Sequence, residues 1–481
     1  MIASNEGGDA LSRQDRFWLG ACALLALVVW GLGWLSPAEF MDADFPFIVE
    51  NDATWASAWT QDSYRAVGLS EAPPITYEPL GITLLGTLGK TLGASSPLPY
   101  RVLATLFHAL NAALLALWLR RLGLSTARSV TAASLWSLMP IHAEVMYWAS
   151  ASLDVMASCA LLGALVLAAR PSVAARLGAI GIWTLSFLLK EALVCGSIAL
   201  LLTMAYAPVQ PEGEKEAARP PLGLPAMVGG LVLAAWWTAR SLAGAQAPAN
   251  VPLHWSALGA SFGEAIARAV GLGEQFRAAG APLHGMTWIA AAALVATAWY
   301  AWQASRHPAH VMVPVFSLSV IAVAQVLLGQ SEVGFVVDPD RFFYLAVSFI
   351  PVTAVCAWNP PAERSIRDQS IAIVTVGVLL TVWAWSDIEA RESYESFDAM
   401  LTREIRIGRA SPNVYLLRGL ERMKRDDPCA AEMDFRYSFA LAIEREDRER
   451  ARELGIDALK ACSDAKAAAI QSRRGAPETT P

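Results

Sequence analysis

Apolar residues in this chain come in long unbroken runs rather than at spaced positions. The first run, residues 17–35, holds no charged side chain and is long enough to cross about 30 Å of hydrocarbon as one α-helix. Further runs follow at about 98–119, 129–141, 150–169, 173–189, 192–207, 224–243, 286–303, 310–328, 341–358 and 369–387. Together they predict an all-α polytopic membrane protein with about eleven transmembrane helices.

Residues 36–97 interrupt this pattern, because apolar and polar residues are interleaved there. We interpret them as a long first loop carrying helices that lie on the membrane, since Leu80–Leu92 is amphipathic but too short and glycine-rich for a span. The run before this loop could instead be a cleaved signal peptide, because Arg13 and Arg16 precede it. Its exit, residues 34–39, is a poor cleavage site, which favours a retained anchor.

Lys and Arg are distributed unevenly among the loops between the runs. If residues 1–16 are cytoplasmic, alternate loops carry Arg120, Arg121 and Arg128, then Arg170 and Arg176, then Lys215 and Arg219, then Arg306, then Arg364 and Arg367. The opposite loops near 142–149 and 329–340 contain neither residue type. The positive-inside rule therefore predicts one shared outer face for the acidic stretch 40–52, His142-Ala143-Glu144, Lys190-Glu191 and Asp340-Arg341.

The chain changes character after the last run. We expect a transmembrane domain over residues 17–387, a charged and amphipathic helical domain over 388–470 on the outer side, and a disordered tail over 471–481. Cys429 opens one predicted helix of the second domain and Cys462 closes the next, so antiparallel packing would bring the two thiols together. In an oxidising outer compartment this predicts a disulfide.

Composition agrees with a membrane protein and excludes several other classes. Hydrophobic residues make up 55% of the 481 residues, charged residues 17%, and the mean hydropathy is +0.40. An ordinary soluble domain is less apolar. The net charge is −6 with Lys and Arg scattered singly, so we expect no nucleic-acid partner. No cysteine spacing suggests a structural zinc site.

The acidic stretch directly after the first run holds the most suggestive chemistry. It contains Asp42, Asp44, Glu50 and Asp52 just outside a predicted membrane helix. A charge near the hydrocarbon costs free energy, so such residues often mark a functional site. One interpretation is a solvated outer loop, and the other is the catalytic edge of a membrane-embedded transferase.

Six short fragments, in order along the chain, carry a resemblance to a known family. They are Asp44 with Ile48 and Asn51, Tyr77-Glu78-Pro79-Leu80, Leu106-Phe107-His108-Ala109-Leu110-Asn111-Ala112, Met139-Pro140-Ile141-His142-Ala143-Glu144 with Asp154, Lys190-Glu191, and Asp340-Arg341-Phe342-Phe343-Tyr344. The chain resembles the GT-C class of membrane glycosyltransferases, most closely the transmembrane-and-tetratricopeptide O-mannosyltransferases and their bacterial relatives. Residues 413–442 also resemble a single tetratricopeptide repeat.

The resemblance implies a GT-C helix bundle with a tetratricopeptide-like tail. It also implies transfer of a sugar from a polyprenyl-phosphate donor to a hydroxyl of a protein, lipid or glycan acceptor on the outer side, with inversion. Such a displacement needs a base for the acceptor and cations for the leaving phosphate. We expect Asp44 as the base with Asp42 as the alternative, and Lys190 and Arg341 at the phosphate. Supporting residues are His142, Glu144, Asp154, Glu191, His108 and Tyr344.

The chain departs from the family pattern at four places. Ala43 stands where the family has the second acid of the pair, with Asp42 one place early. Glu78 and Met139 stand where the family has Arg and His, and the Arg that normally precedes Asp154 is missing. A second hypothesis is therefore an inactive GT-C-like scaffold that binds a protein partner through its tail. A transporter is the third hypothesis, but the repeat symmetry and mid-bilayer charges expected of one are not evident.

Three residue-level alternatives stay open. Lys190 could pair with Glu191 or Glu144 instead of a lipid phosphate, and Arg341 could snorkel to the headgroups. His142, Glu144 and Asp154 could bind a divalent metal, although their spacing is not a recognised one. No other cofactor is expected. Together with the composition, the topology predicts a bacterial inner-membrane protein with a periplasmic tail.

Overall fold

The computed structural model is all-helical over the residues that it describes. These are residues 12–35, 40, 44–61, 63–67, 77–93, 96–206, 222–244, 344–357, 381, 383, 385–386, 391–406, 412–442 and 445–475. The chain forms two compact units, and the described residues of the first end at Arg391 whereas those of the second begin at Glu392. This boundary is close to the change of character expected at residue 388.

The first unit contains twelve described α-helices joined by short 3-10 turns and one π turn. The α-helices are α1 (Arg13–Gly31), α2 (Trp55–Thr60), α3 (Ser63–Ala66), α4 (Pro79–Leu92), α5 (Leu98–Arg121), α6 (Thr126–Ser137), α7 (Ala143–Tyr147), α8 (Ser152–Ala168), α9 (Val173–Leu189), α10 (Gly196–Tyr206), α11 (Gly223–Leu242) and α12 (Phe349–Ala357). The π turn is Phe45–Val49, and the 3-10 turns are Leu32–Leu35, Pro140–His142, Glu191–Cys195 and Ala346–Ser348.

Local sequence explains where several of these helices begin. Ser12 accepts from the backbone N–H of Asp15 while the Asp15 carboxylate accepts from Ser12, which forms a capping box at the start of α1. Ser125 and Ser172 accept a backbone N–H at the starts of α6 and α9 in the same way. Pro140 opens a new turn after α6, because proline fits the first position of a helical turn.

Two described helices are long and apolar enough to cross a membrane. They are Arg13–Leu35 and Leu98–Arg121, and a third span results if Pro140–Tyr147 and Ser152–Ala168, bent by 111°, are counted together. α1 keeps an exposed apolar face, with Phe17 at 66% and Leu24 at 58% exposure, as a lipid-facing helix does. The remaining expected spans are not established, and the runs at 286–303 and 310–328 lie outside the described residues.

α1, α5 and α6 pack around a buried aromatic centre. Trp30 on α1 and Trp136 on α6 have almost no exposed surface, and each indole N–H donates to a backbone oxygen, that of Ser137 at 2.7 Å and that of Tyr344 at 3.0 Å. Because a buried indole N–H needs an acceptor, these bonds fix how the helices and the segment at Tyr344 fit together.

Helix α4 corresponds to the amphipathic helix expected at 80–92 on the membrane surface, but its apolar side packs against the protein. Its apolar side, with Ile82 and Leu85, is buried. Leu85 shares a cluster with Ile48 of the π turn. The face of α4 is therefore covered at least in part by the protein's own first loop.

The second unit consists of α13 (Phe397–Arg406), α14 (Pro412–Lys424), α15 (Pro428–Leu441) and α16 (Arg445–Gly475). α16 ends at Gly475, beyond the expected domain end at residue 470. Phe435 of α15 packs against Gly419 of α14, where an added Cβ would lie 2.6 Å from the Phe435 ring. A disulfide joins Cys429 to Cys462, the pairing that the sequence predicted. A tetratricopeptide repeat is not established by these helices.

Charged residues tie the helices of this unit together. Arg418 binds the buried Asp434 with two bonds, at 2.6 Å and 3.0 Å, and Arg422 joins Asp434 to Asp398. Such bidentate pairs fix helix geometry because the planar guanidinium matches the carboxylate.

Candidate active site

Asp44 lies at a junction between two distant segments. It stands directly before the π turn, is only 1% exposed, and its Oδ1 accepts from the backbone N–H of Ser150 at 2.8 Å. Ser150 belongs to the bend between α7 and α8. A ligand therefore reaches the Asp44 carboxylate only when the residues that cover it move aside.

The other acids of the same stretch have different environments. Glu50 and Asp52 are exposed, as expected for solvated loop charges. Asp42, the alternative base, lies outside the described residues. Asp44 is thus the one acid of this stretch, among those that the structure describes, whose side chain is buried.

Asn51 holds the loop of Asp44 against α4. Its amide Nδ2 donates to the backbone oxygens of Phe47 at 2.7 Å and Ile82 at 3.1 Å, while its Oδ1 accepts from Ala53. Gly86 and Gly89 of α4 permit this approach, because a Cβ at Gly89 would collide with the carbonyl oxygen of Ile48. The match of Asn51 to the family pattern is therefore explained here by loop positioning.

Two residues at the start of α5 complete this junction, and sequence reasoning missed both. Tyr100 is fully buried in the cluster that contains Ile48 and Ala149, with the Phe40 ring 5.7 Å away. Arg101 donates from Nε to the backbone oxygen of Tyr147 at 3.1 Å. Both lie near the start of the apolar run at 98–119, as Arg341 lies at the start of the run at 341–358, and this position could have identified them.

A second group of charges surrounds Lys190 and Glu191. Lys190 Nζ lies 3.2 Å from Glu78 Oε1, so Lys190 is paired with Glu78, whereas the sequence suggested Glu191 or Glu144 as its partner. Glu191 Oε1 is 2.5 Å from Arg240 Nε, and Glu191 Oε2 accepts from the backbone N–H of Tyr77 at 2.6 Å. When ionised, the four side chains carry two positive and two negative charges.

Sequence reasoning also missed Arg240 as a residue of this site. It lies in the last turn of α11 inside an apolar run, a position where an Arg is costly without a partner. Burial raises the pKa of Glu191 to about 7, although the Arg240 guanidinium and the Tyr77 N–H act in the opposite direction. Glu78, at the position where the resembled family has an Arg, is paired with the cation Lys190.

His108 and Tyr344, expected as supporting residues, form a buried hydrogen-bond network. His108 Nε2 donates to the carbonyl oxygen of Ser137 at 2.9 Å, which leaves Nδ1 of the neutral ring to accept from the Tyr344 hydroxyl at 2.6 Å. The same hydroxyl accepts from Asn111 Nδ2 at 3.0 Å. His142 Nε2 donates to the backbone oxygen of Trp136 at 2.8 Å. These contacts link α5, α6 and the segment at Tyr344, which is a structural role.

The three candidate metal ligands are not arranged as a metal site. His142, Glu144 and Asp154 are all buried, with Glu144 in α7 and Asp154 in the first turn of α8. Within the part of the chain that the structure describes, no group of three or more His, Cys, Asp or Glu side chains could hold a metal ion. Arg341, the second expected phosphate ligand, lies outside the described residues.

Comparisons with known proteins add no relative. The chain matches no protein-family model, no curated protein and no solved structure.

Proposed function

We propose that this protein is a membrane glycosyltransferase of GT-C type that transfers a sugar from a polyprenyl-phosphate donor to an acceptor hydroxyl. The observation that carries the proposal is the junction at Asp44. There a buried carboxylate of the first loop accepts from the α7–α8 bend, and Ile48 of the π turn that follows it shares a cluster with Tyr100 at the start of α5. These segments contain or adjoin the fragments resembling the family.

The proposed reaction is a single displacement. The acceptor hydroxyl gives its proton to Asp44, its oxygen forms a bond to the anomeric carbon of the donor sugar, and the bond from that carbon to the phosphate oxygen breaks. The electron pair of the broken bond leaves with the polyprenyl phosphate, and the anomeric carbon is inverted. The acceptor is a protein, lipid or glycan.

Cations must stabilise the phosphate as it leaves. Lys190 and Arg341 are proposed for this task, and Lys190 performs it when its pair with Glu78 opens or rearranges. We further propose that the site faces the periplasm of a bacterial inner membrane, with the tetratricopeptide-like tail on the same side and available to a protein partner.

The decisive experiment compares two carboxamide variants in the same loop. Asp44→Asn should lower release of polyprenyl phosphate from purified, lipid-reconstituted protein by about 100-fold or more, the usual scale of general-base catalysis. Asp52→Asn, at an exposed position, should retain activity. A panel of radiolabelled polyprenyl-phosphate sugars, mannose first, serves as donor. Full activity of folded Asp44→Asn protein would exclude Asp44 as the base.

An inactive scaffold is the competing hypothesis. The Lys190–Glu78 pair favours it, because Lys190, the cation proposed to bind the donor phosphate, is already paired with a carboxylate. It predicts that the wild-type protein releases no polyprenyl phosphate from any donor of the panel.

A further inference from the structure

The Tyr100 side chain has a hydroxyl that the fold does not use. Tyr100 is in the first turn of α5 with no exposed surface, and its hydroxyl oxygen is buried without a hydrogen-bond partner. Burying an O–H without a partner costs stability, and a phenylalanine would fill the same space without that cost. The hydroxyl therefore contributes nothing favourable to the resting structure.

The Tyr100 side chain packs in a cluster that borders Asp44 on both sides. The Tyr100 cluster includes Ile48, in the π turn that Asp44 precedes, and Ala149, the neighbour of the Ser150 N–H that binds Asp44. Asp44 already accepts from the Ser150 N–H, whereas the Tyr100 hydroxyl has no hydrogen-bond partner. A buried donor with unused hydrogen-bonding capacity thus belongs to the cluster that contains the turn after Asp44.

We propose that the Tyr100 hydroxyl is a substrate-binding group that donates a hydrogen bond to a sugar hydroxyl whose own proton is directed to Asp44. A hydroxyl is suited to this place because it accepts one hydrogen bond and donates another. The sugar belongs either to the lipid-linked donor or to the acceptor. The inference rests on the proposed function only in taking Asp44 as the reacting carboxylate.

The first arm of the test measures stability without ligand. Because its hydroxyl has no partner, Tyr100→Phe should leave the melting temperature of the full-length protein in nanodiscs unchanged or raise it. The matched variant is Tyr77→Phe, which loses the bond from the Tyr77 hydroxyl to the Trp59 carbonyl oxygen at 3.0 Å and should melt at a lower temperature. A clear drop in melting temperature for Tyr100→Phe would show that the hydroxyl is bonded in the resting protein, and would overturn the proposal.

The second arm measures equilibrium binding of two tritiated probes, polyprenyl-phosphate mannose and methyl α-mannoside. Tyr100→Phe should weaken binding of at least one probe about tenfold, the usual scale of one lost hydrogen bond. Loss with the lipid-linked probe assigns the contact to the donor, and loss with the free glycoside alone assigns it to the acceptor. Tyr206→Phe, at an exposed position at the end of α10, should bind both like the wild type.

The outcomes separate this inference from the proposed function. Wild-type affinity of Tyr100→Phe for both probes overturns the role of Tyr100, and so does failure of the wild-type protein to bind either probe. If the wild type binds a probe through Tyr100 but releases no polyprenyl phosphate, the binding role stands and the transferase proposal fails.

Discussion

At Glu191, burial and pairing act on one proton in opposite directions. Burial raises the pKa to about 7, whereas the Arg240 guanidinium and the Tyr77 N–H favour the ionised carboxylate. The unfolded chain releases this proton near the ordinary value of 4.5. The folded state therefore holds a proton that the unfolded state has lost over the interval between these two values.

From this difference we expect a measurable pH dependence of stability. As pH rises from about 4.5 to about 7, the contribution of Glu191 to the free energy of unfolding should fall, and above about 7 it should level off. Glu191→Gln should remove this part of the slope when melting temperatures are measured from pH 5 to pH 8 in nanodiscs. The control is Glu50→Gln at an exposed position, which should keep the wild-type slope. An unchanged slope in Glu191→Gln would contradict the assignment.

The sequence predicted that Lys190-Glu191 would be a polar site between apolar runs but could not supply the partners. The apolar runs around Lys190 indicate that its charge needs an anionic partner. Which of Glu78, Glu144 and Glu191 is that partner depends on how the helices pack. Tyr100 illustrates the same limit, because no sequence pattern distinguishes a bonded hydroxyl from an unbonded one.

Among the elements, α4 depends on glycine to approach the loop of Asp44. Replacing Gly89 by Ala should help an exposed helix by about 1 kcal/mol, but here the new Cβ collides with the Ile48 carbonyl oxygen. We expect a net loss of about 1–3 kcal/mol in the free energy of unfolding because the π turn after Asp44 must move, and a reduction of the proposed sugar transfer for the same reason.

Gly181→Ala provides the control for this substitution. Gly181 lies in α9, and nothing lies within 4 Å of its added Cβ. This variant should melt at or above the wild-type temperature and keep its activity. Thermal unfolding and polyprenyl-phosphate release together check both variants. Equal behaviour of the two would show that α4 tolerates a wider separation from the loop.

Helix lengths explain why spans are harder to predict than helices. The run at 129–141 was expected as a span, yet α6 covers only Thr126–Ser137. At about 1.5 Å per residue its 12 residues extend roughly 18 Å, short of the bilayer core. The 111° bend between α7 and α8 likewise falls within apolar sequence, where hydropathy gives no sign of direction.

At the scale of the whole molecule, the predicted orientation can be tested through the disulfide of the second unit. With the tail outside, a membrane-impermeant maleimide should not label intact spheroplasts until an impermeant reductant opens Cys429–Cys462, and labelling should then appear. The double variant Cys429→Ser/Cys462→Ser should stay unlabelled. Labelling of the wild type that requires inside-out vesicles would place the tail in the cytoplasm.

The ion pair between Glu191 and Arg240 also has a consequence for how the protein is made. The two residues are 49 positions apart, so Glu191 is synthesised well before its partner Arg240. Lys190 can pair at once, because its partner Glu78 is synthesised earlier. Until α11 packs against this site, Glu191 must keep its proton or remain in contact with water. Packing of α11 is therefore the step that completes the ion pair, and a chain that stops after α10 should be a substrate for quality-control proteases.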